Sequence, residues 1–216
     1  KPADIWFRSA LLEGKAKVSE VTYIGRLTQN KSDNSKNRLR INTKVTDGKM
    51  KFLKDLPEAK NISGTLEILD DKLEFKFSEG QIENFELSSA SIRIPEINSP
   101  DRRLYFEGTL EGDKTGFPSF MKNASLKDRL PKIMDEIEID NPFHLEINLE
   151  IDLFGEFEHN LQGAITFKNN EIRIKNAGFE PLKLTGSLNF SGEEIFGKNL
   201  KIKFAKDIFK VEIMPK

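Results

Sequence analysis

Two histidines and many carboxylates are the side chains in this 216-residue chain whose chemistry suits metal binding or acid–base catalysis. His144 and His159 have no partner at the spacing of a metal motif, and His144 falls on the polar positions of its strand pattern. Glu146 and Glu150 form a carboxylate pair, but such pairs recur along every charged strand face without the signature of a tuned acid and base. The sequence therefore predicts no catalytic residue and no metal site.

Nucleophiles, cofactor motifs and nucleic-acid signals are also missing from the sequence. The chain has no cysteine, so it has no disulfide and no thiol nucleophile. It has no G-x-S-x-G motif, no P-loop and no G-x-G-x-x-G before a helix. Its net charge of −1 argues against nucleic acid, which requires a basic excess. We therefore predict a protein that is not an enzyme, takes no cofactor and binds no nucleic acid; a hydrolase is disfavoured because no nucleophile constellation exists.

The strongest pattern in the chain is the alternation of "FHLEINLEIDLF" at 143–154. Successive side chains of a strand point to opposite faces, so this segment has one apolar face and one charged face. The apolar face carries Phe143, Leu145, Ile147, Leu149, Ile151 and Leu153. A sheet built from such strands must cover one face with apolar material.

The same alternation recurs along most of the chain and predicts a long antiparallel meander. The predicted strands are 40–46, 49–54, 62–69, 72–77, 82–94 and 103–112, then 143–154, 161–168, 171–175, 182–190, 199–205 and 208–214. The dipeptides "DG" (47–48), "DD" (70–71), "EG" (79–80) and "NN" (169–170) between them predict short turns. No segment has the pattern of a crossover helix in a parallel sheet.

Three segments depart from this pattern. Residues 4–12 suit a short amphipathic helix, and 27–38 is polar and predicts a flexible loop. Residues 116–137 have helical spacing, interrupted by Pro131, so we expect two short helices or one kinked helix. This insertion is either a gate or cap on the sheet or plain packing against it, and its candidate gate residues are Phe117, Phe120, Met121, Leu130 and Ile133.

These segments predict an N-terminal part, 1–38, and one β-groove domain, 39–216, with the helical insertion inside it. The chain begins "KPAD" and contains no apolar run near the ~20 residues of a membrane-spanning helix. We expect it to be a segment of a longer protein whose membrane anchor lies outside it.

The apolar face can be covered in a sandwich, in a closed barrel or in an open groove around an apolar ligand. Glycines inside strand patterns, Gly64, Gly108, Gly163 and Gly186, favour a strongly curved sheet, and the 17 phenylalanines favour a surface that is apolar throughout. If the groove is open, its predicted lining is Leu73, Phe75, Phe77, Phe106, Leu145, Ile147, Leu149, Ile151, Leu153, Ile165, Phe167, Leu184, Leu188 and Phe190.

The order of these features from 103 to 215 resembles the AsmA-like envelope proteins, most closely the YhdP family. The matching pieces are "FEGTLEGDKTGFPSFMKNASLKDRLPKI", the long strand "HLEINLEIDLFGEF" and "LKLTGSLNFSGEEIFGKNLKIKF". The first half of the chain resembles the preceding repeats of that family more loosely.

The resemblance implies a taco-shaped β-groove in a long periplasmic protein of a Gram-negative bacterium, tethered to the inner membrane. It also implies transport of phospholipids between the inner and outer membranes, with acyl chains in the groove and neighbouring repeats of the same chain beside it. The alternative that the residues leave open is a closed β-sandwich or barrel that acts as an adhesion or envelope-assembly module without a lipid.

Overall fold

A computed structural model describes residues 9–25, 37–52, 57–112, 137–140, 142–154, 158–175, 178, 180–192 and 194–214. This part of the chain is built almost entirely of β-strands. They are β1 (Leu11–Ile24), β2 (Arg38–Met50), β3 (Ala59–Leu69), β4 (Lys72–Ile82), β5 (Phe85–Ile94), β6 (Arg103–Gly112), β7 (Ile137–Asp140), β8 (Phe143–Asp152), β9 (His159–Ile174), β10 (Leu182–Ser191), β11 (Glu194–Phe204) and β12 (Asp207–Ile213).

All twelve strands belong to one antiparallel sheet with the order β1-β2-β3-β4-β5-β6-β8-β9-β10-β11-β12, and β7 pairs with β9. Nearly every strand therefore pairs with its neighbour in sequence, which confirms the predicted meander. Over the described ranges, β1 and β12 do not pair with each other, so the sheet stays open. A closed barrel, one form of the alternative module, is therefore wrong for this part of the chain.

Strand β8 shows how the alternating sequence produces the fold. It pairs with β6 over its whole length and with β9 from His144 to Ile151, without a register shift. Its apolar positions are buried, and the polar positions between them are exposed or half-buried. A slip of one residue would move every apolar side chain into water, so the pattern itself fixes the register. We call the buried side of the sheet its inner face and the charged side its outer face.

The turn predictions at "DG", "EG" and "NN" are wrong, because these dipeptides lie inside strands β2, β4 and β9. Asp47 and Asn169 adopt a left-handed backbone (φ 55° and 61°) at points where the pairing register shifts. Both residues therefore form β-bulges, which use the same backbone conformation as a turn. The hairpin after β4 turns instead at Glu83 and Asn84, so predicted strand 82–94 is divided there.

The bulge in β9 is held by the buried amide of Asn170. Its Oδ1 accepts a hydrogen bond from the Lys168 amide at 2.7 Å, and its Nδ2 donates to the carbonyl of Pro142 at 3.0 Å. The second contact lies where β7 ends and β8 begins along the same edge of β9. A buried polar side chain thus satisfies backbone groups that the interrupted ladder leaves unpaired.

Several predictions fall wholly or partly outside the described residues. The described residues include only 9–12 of the predicted helix at 4–12. Strand β1 begins at Leu11, so the helix prediction is wrong for Leu11 and Leu12. Most of the predicted loop at 27–38 and nearly all of the predicted insertion at 116–137 lie outside. Ile137, the last residue of that insertion, begins β7 and is not helical. The division into 1–38 and 39–216 stays a prediction.

Phenylalanine rings cover several of the in-strand glycines on the inner face, whereas a Cβ on Gly186 would meet Leu200. A Cβ on Gly64 would meet the Phe75 ring and the Lys76 carbonyl, and one on Gly108 would lie 2.7 Å from Cζ of Phe106. A Cβ on Gly163 would overlap the Glu146 carbonyl and the Phe190 ring. Because glycine has no side chain, large rings can lie against the backbone at these positions. This reduces crowding on the concave side of a curved sheet.

We predict that Gly163→Ala destabilises the fold by about 1–3 kcal/mol, because its methyl group meets a backbone carbonyl that cannot move without breaking the β8–β9 ladder. Gly80→Ala is the matched control, since its methyl group meets only Cδ1 of Leu87, the flexible end of a side chain. Urea unfolding of both variants measures the difference. Equal stability losses would contradict this account of the glycines.

Candidate functional site

The inner face contains an apolar cavity of about 200 Å³ between β1 and β6. Six consecutive strands contribute to its wall, and most contribute alternate residues. The lining residues are Leu11, Gly14, Lys15, Ala16, Thr43, Val45, Gly48, Met50, Ile62, Leu66, Leu73, Phe75, Ile92, Ile94 and Leu104. Sites for whole small-molecule ligands measure about 300–1,000 Å³, so this volume suits part of an elongated apolar molecule.

Strong curvature of the sheet creates this cavity. Leu11 on β1 and Leu104 on β6 line the same space although four strands lie between them. At about 4.8 Å per strand, a flat sheet would separate β1 from β6 by about 24 Å. The sheet must therefore curl towards its inner face, which makes the first six strands a trough.

Aromatic rings pack beside the cavity on the same face. Phe52, two residues beyond the end of β2, lies with its ring centroid 5.1 Å from that of Phe106 on β6. The ring centroids of Phe106 and Phe77 lie 6.1 Å apart, and those of Phe77 and the cavity residue Phe75 lie 4.6 Å apart. The Phe52–Phe106 pair is tilted and the other two pairs are edge-to-face, and rings at these distances attract one another without any hydrogen-bonding group. The Phe52–Phe106 contact also crosses the trough, because three strands separate β2 from β6.

Charged groups lie around the trough and leave its floor apolar. Thr43 is the buried hydroxyl side chain of the lining, and Lys15 is its charged member. Lys15 Nζ donates to Asp47 Oδ2 at 2.9 Å. That hydrogen bond and the negative charge of Asp47 raise the pKa of Lys15 above its ordinary value, so the amine stays protonated.

The outer face carries ion pairs between neighbouring strands. Arg40 pairs with Glu67 at 2.8 Å, and Arg103 pairs with Glu150. The hydrogen bond and charge of Glu150 raise the pKa of Arg103. Glu150, half of the carboxylate pair noted in the sequence, thus serves a cross-strand ion pair.

The histidines also lie in ordinary polar surroundings. His144 Nδ1 lies 3.5 Å from a carboxylate oxygen of Glu111, and its Nε2 lies 3.3 Å from Nζ of Lys168. His159 is exposed. In the described ranges, no group of three or more His, Cys, Asp or Glu side chains is arranged to hold a metal ion.

The structure brings every predicted lining residue into one hydrophobic cluster. Phe77 and Leu188 are partly buried, and the others are buried. Leu73 and Phe75 line the cavity. The other predicted lining residues do not line the cavity and are packed against other side chains of the cluster. They are Phe77, Phe106, Leu145, Ile147, Leu149, Ile151, Leu153, Ile165, Phe167, Leu184, Leu188 and Phe190. Whether these residues line a lipid path stays a prediction.

Sequence reasoning missed most of the cavity wall. Leu66, Ile92 and Ile94 lie on apolar positions of predicted strands, so the same alternation identifies them. Strand β1 was not predicted at all, because bulges near Glu13 and between Val18 and Glu20 break its alternation. The candidate gate residues Phe117, Phe120, Met121, Leu130 and Ile133 lie outside the described residues. No helix in the described ranges is long and apolar enough to cross a membrane.

Comparisons with known proteins give a matching family and a curated relative. The family model described as YhdP protein matches residues 2–215. The chain is 20% identical over 211 residues to the intermembrane phospholipid transporter YhdP of Escherichia coli (strain K12); the match covers 98% of this chain and 16% of that protein. No solved structure matches the chain. Because the family model covers nearly the whole sequence, the chain belongs to the YhdP family.

Proposed function

We propose that this chain is a lipid-binding segment that carries phospholipids along its inner face, with the acyl chains in the trough. The observation that supports this most is the apolar cavity, whose wall comes from six consecutive strands of an open sheet. The E. coli relative is by name an intermembrane phospholipid transporter, and this chain spans 16% of its length. The proposal therefore concerns one stretch of a transport path and not a complete transporter.

The physical character of the cavity suits transport. Each methylene group removed from water contributes about 0.8 kcal/mol, so an acyl chain is held firmly by a wall that is mostly apolar. The apolar residues of the wall make no directional bond with an acyl chain, so the chain can slide along them. The head group stays in water near the charged groups at the trough's margin, such as Lys15 and Asp47. No chemical step is needed, and we propose that the protein is not an enzyme.

The remaining predicted lining residues on β6 and β8–β10 continue the same face beyond the cavity. We propose that this stretch, including Phe106, Leu149 and Phe190, receives the acyl chain when the trough opens there. The aromatic contacts of Phe52 and Phe77 with Phe106 lie between the cavity and this stretch. They involve no hydrogen bond and no charge, so an acyl chain can replace most of their apolar contacts.

The family relationship also supports an envelope location. We propose that the chain works in the periplasm of a Gram-negative bacterium, where a phospholipid moving between two membranes must cross water. An inner-membrane anchor and neighbouring repeats of the same chain would complete the path. Both belong to the proposal, since the described residues contain neither.

A photo-crosslinking amino acid tests which face holds lipid. We predict that the probe at Leu66, in the cavity wall, captures phospholipid, whereas the probe at Glu67, the next residue on the outer face, does not. Leu149 and Glu150 form the same comparison on β8, where Leu149 tests the continuation of the path. Mass spectrometry of the adducts gives the result. Equal capture at Leu66 and Glu67, or none at Leu66, would refute the proposed cavity site.

Filling the cavity should displace the lipid. We predict that Leu66→Trp lowers the molar ratio of phospholipid that co-purifies with the protein, because the indole occupies the space of the acyl chain. The control is Thr65→Trp, which places the same ring at an exposed position on the adjacent residue. Phospholipid is quantified after solvent extraction, and circular dichroism checks the fold. An unchanged ratio in a folded Leu66→Trp variant would contradict the proposal.

A further inference from the structure

The outer face of β10–β12 carries lysines that oppose one another directly across neighbouring strands. Lys183 on β10 pairs in register with Lys203 on β11, and Lys201 on β11 pairs with Lys210 on β12. Directly opposed residues in an antiparallel sheet have Cβ atoms about 5 Å apart, so like charges there destabilise the sheet. All of these side chains are exposed.

These lysines also lack the acidic partners that some lysines elsewhere in the sheet have. Lys15, Lys49 and Lys76 form ion pairs with Asp47, Glu58 and Glu74. In the structure as described, Lys183, Lys201, Lys203 and Lys210 form no ion pair or side-chain hydrogen bond. The acid in register with Lys183 is Glu171, which pairs with Arg173 at 2.8 Å. The patch thus keeps its positive charge.

Large apolar side chains lie at the edge of the same patch. Ile208, in register with Lys203 and therefore on the same face, is 65% exposed. Met214, just past β12, is 68% exposed. Basic side chains combined with exposed apolar side chains are the pattern of surfaces that bind anionic membranes. A purely acidic polypeptide would satisfy the lysines but would leave Ile208 and Met214 without an apolar partner.

We propose that the outer face of β10–β12 docks on the head groups of an anionic membrane, with Ile208 and Met214 contacting the interface. The lysines would then neutralise lipid phosphates at the surface, and the two like-charge pairs would lose their repulsion on binding. This surface lies on the opposite side of the sheet from the cavity, so the proposal is independent of lipid transport in the trough. It describes how this end of the sheet is held near a bilayer.

Vesicle flotation tests the proposal with the purified protein. We expect binding to phosphatidylcholine vesicles that contain phosphatidylglycerol, little binding to phosphatidylcholine alone, and weaker binding at high salt. Lys201→Gln with Lys203→Gln removes one member of each opposed pair and should lower the affinity about 25-fold, at about 5-fold per lysine. The unfolding midpoint of this variant should be unchanged or higher, since repulsion is removed.

The matched control is Lys17→Gln with Lys44→Gln, which removes a single opposed pair on β1 and β2 and changes the net charge equally. Its vesicle affinity should fall clearly less. Failure of the unaltered protein to float with anionic vesicles would overturn the proposal, as would binding to polyglutamate in preference to vesicles. An equal loss in both double variants would also overturn it, because the effect would then reflect overall charge. None of these outcomes depends on lipid in the cavity.

Discussion

The central physical constraint on this chain is that its sheet has one continuous apolar face and no second sheet among the described strands to cover it. Apolar surface costs about 25 cal/mol per Å² when it is left in water, so a flat sheet of this length would be severely penalised. The sheet reduces that cost by curling onto its own inner face. The ring contact between Phe52 and Phe106 and the shared cavity wall of β1 and β6 are the direct signs of this curl.

The curvature of the sheet depends in turn on the positions of its glycines, which have no side chain. Gly64, Gly108 and Gly163 lie on the inner face, and the rings of Phe75, Phe106 and Phe190 occupy the space that their side chains would need. Between β1 and β6 the curled surface encloses a space that the protein's own side chains do not fill. We propose that an acyl chain occupies that space. The packing problem that shapes the sheet and the proposed lipid function therefore have the same physical origin.

Local sequence patterns predicted most of the strands that bury one face in a regular register, although they missed the short strand β7, which pairs with β9 without a register shift. Strand β8 is the best example, since its alternating residues match its burial pattern at nearly every position. The patterns failed where a bulge shifts the register: β1 was missed, and Asp47 and Asn169 were assigned to turns. A left-handed Asp or Asn suits both a turn and a bulge, and only the neighbouring strand determines which forms.

The site was predicted less completely than the fold. The alternation of apolar and polar residues identified which side chains face inwards, including Leu73 and Phe75 of the cavity wall. It contains no information on how far the sheet curls, so the contact of Phe52 with Phe106 and the contribution of β1 could not be predicted from local patterns. Those features depend on contacts between residues that are far apart in sequence, and local alternation contains no information on such contacts.

Native mass spectrometry of the gently purified protein tests the central claim most directly. If the trough holds acyl chains, the spectrum shows the protein carrying phospholipid, and collisional activation releases that lipid from a folded chain. A spectrum of lipid-free protein alone, obtained from freshly prepared material that was never exposed to detergent, would contradict the claim that the inner face is a lipid site.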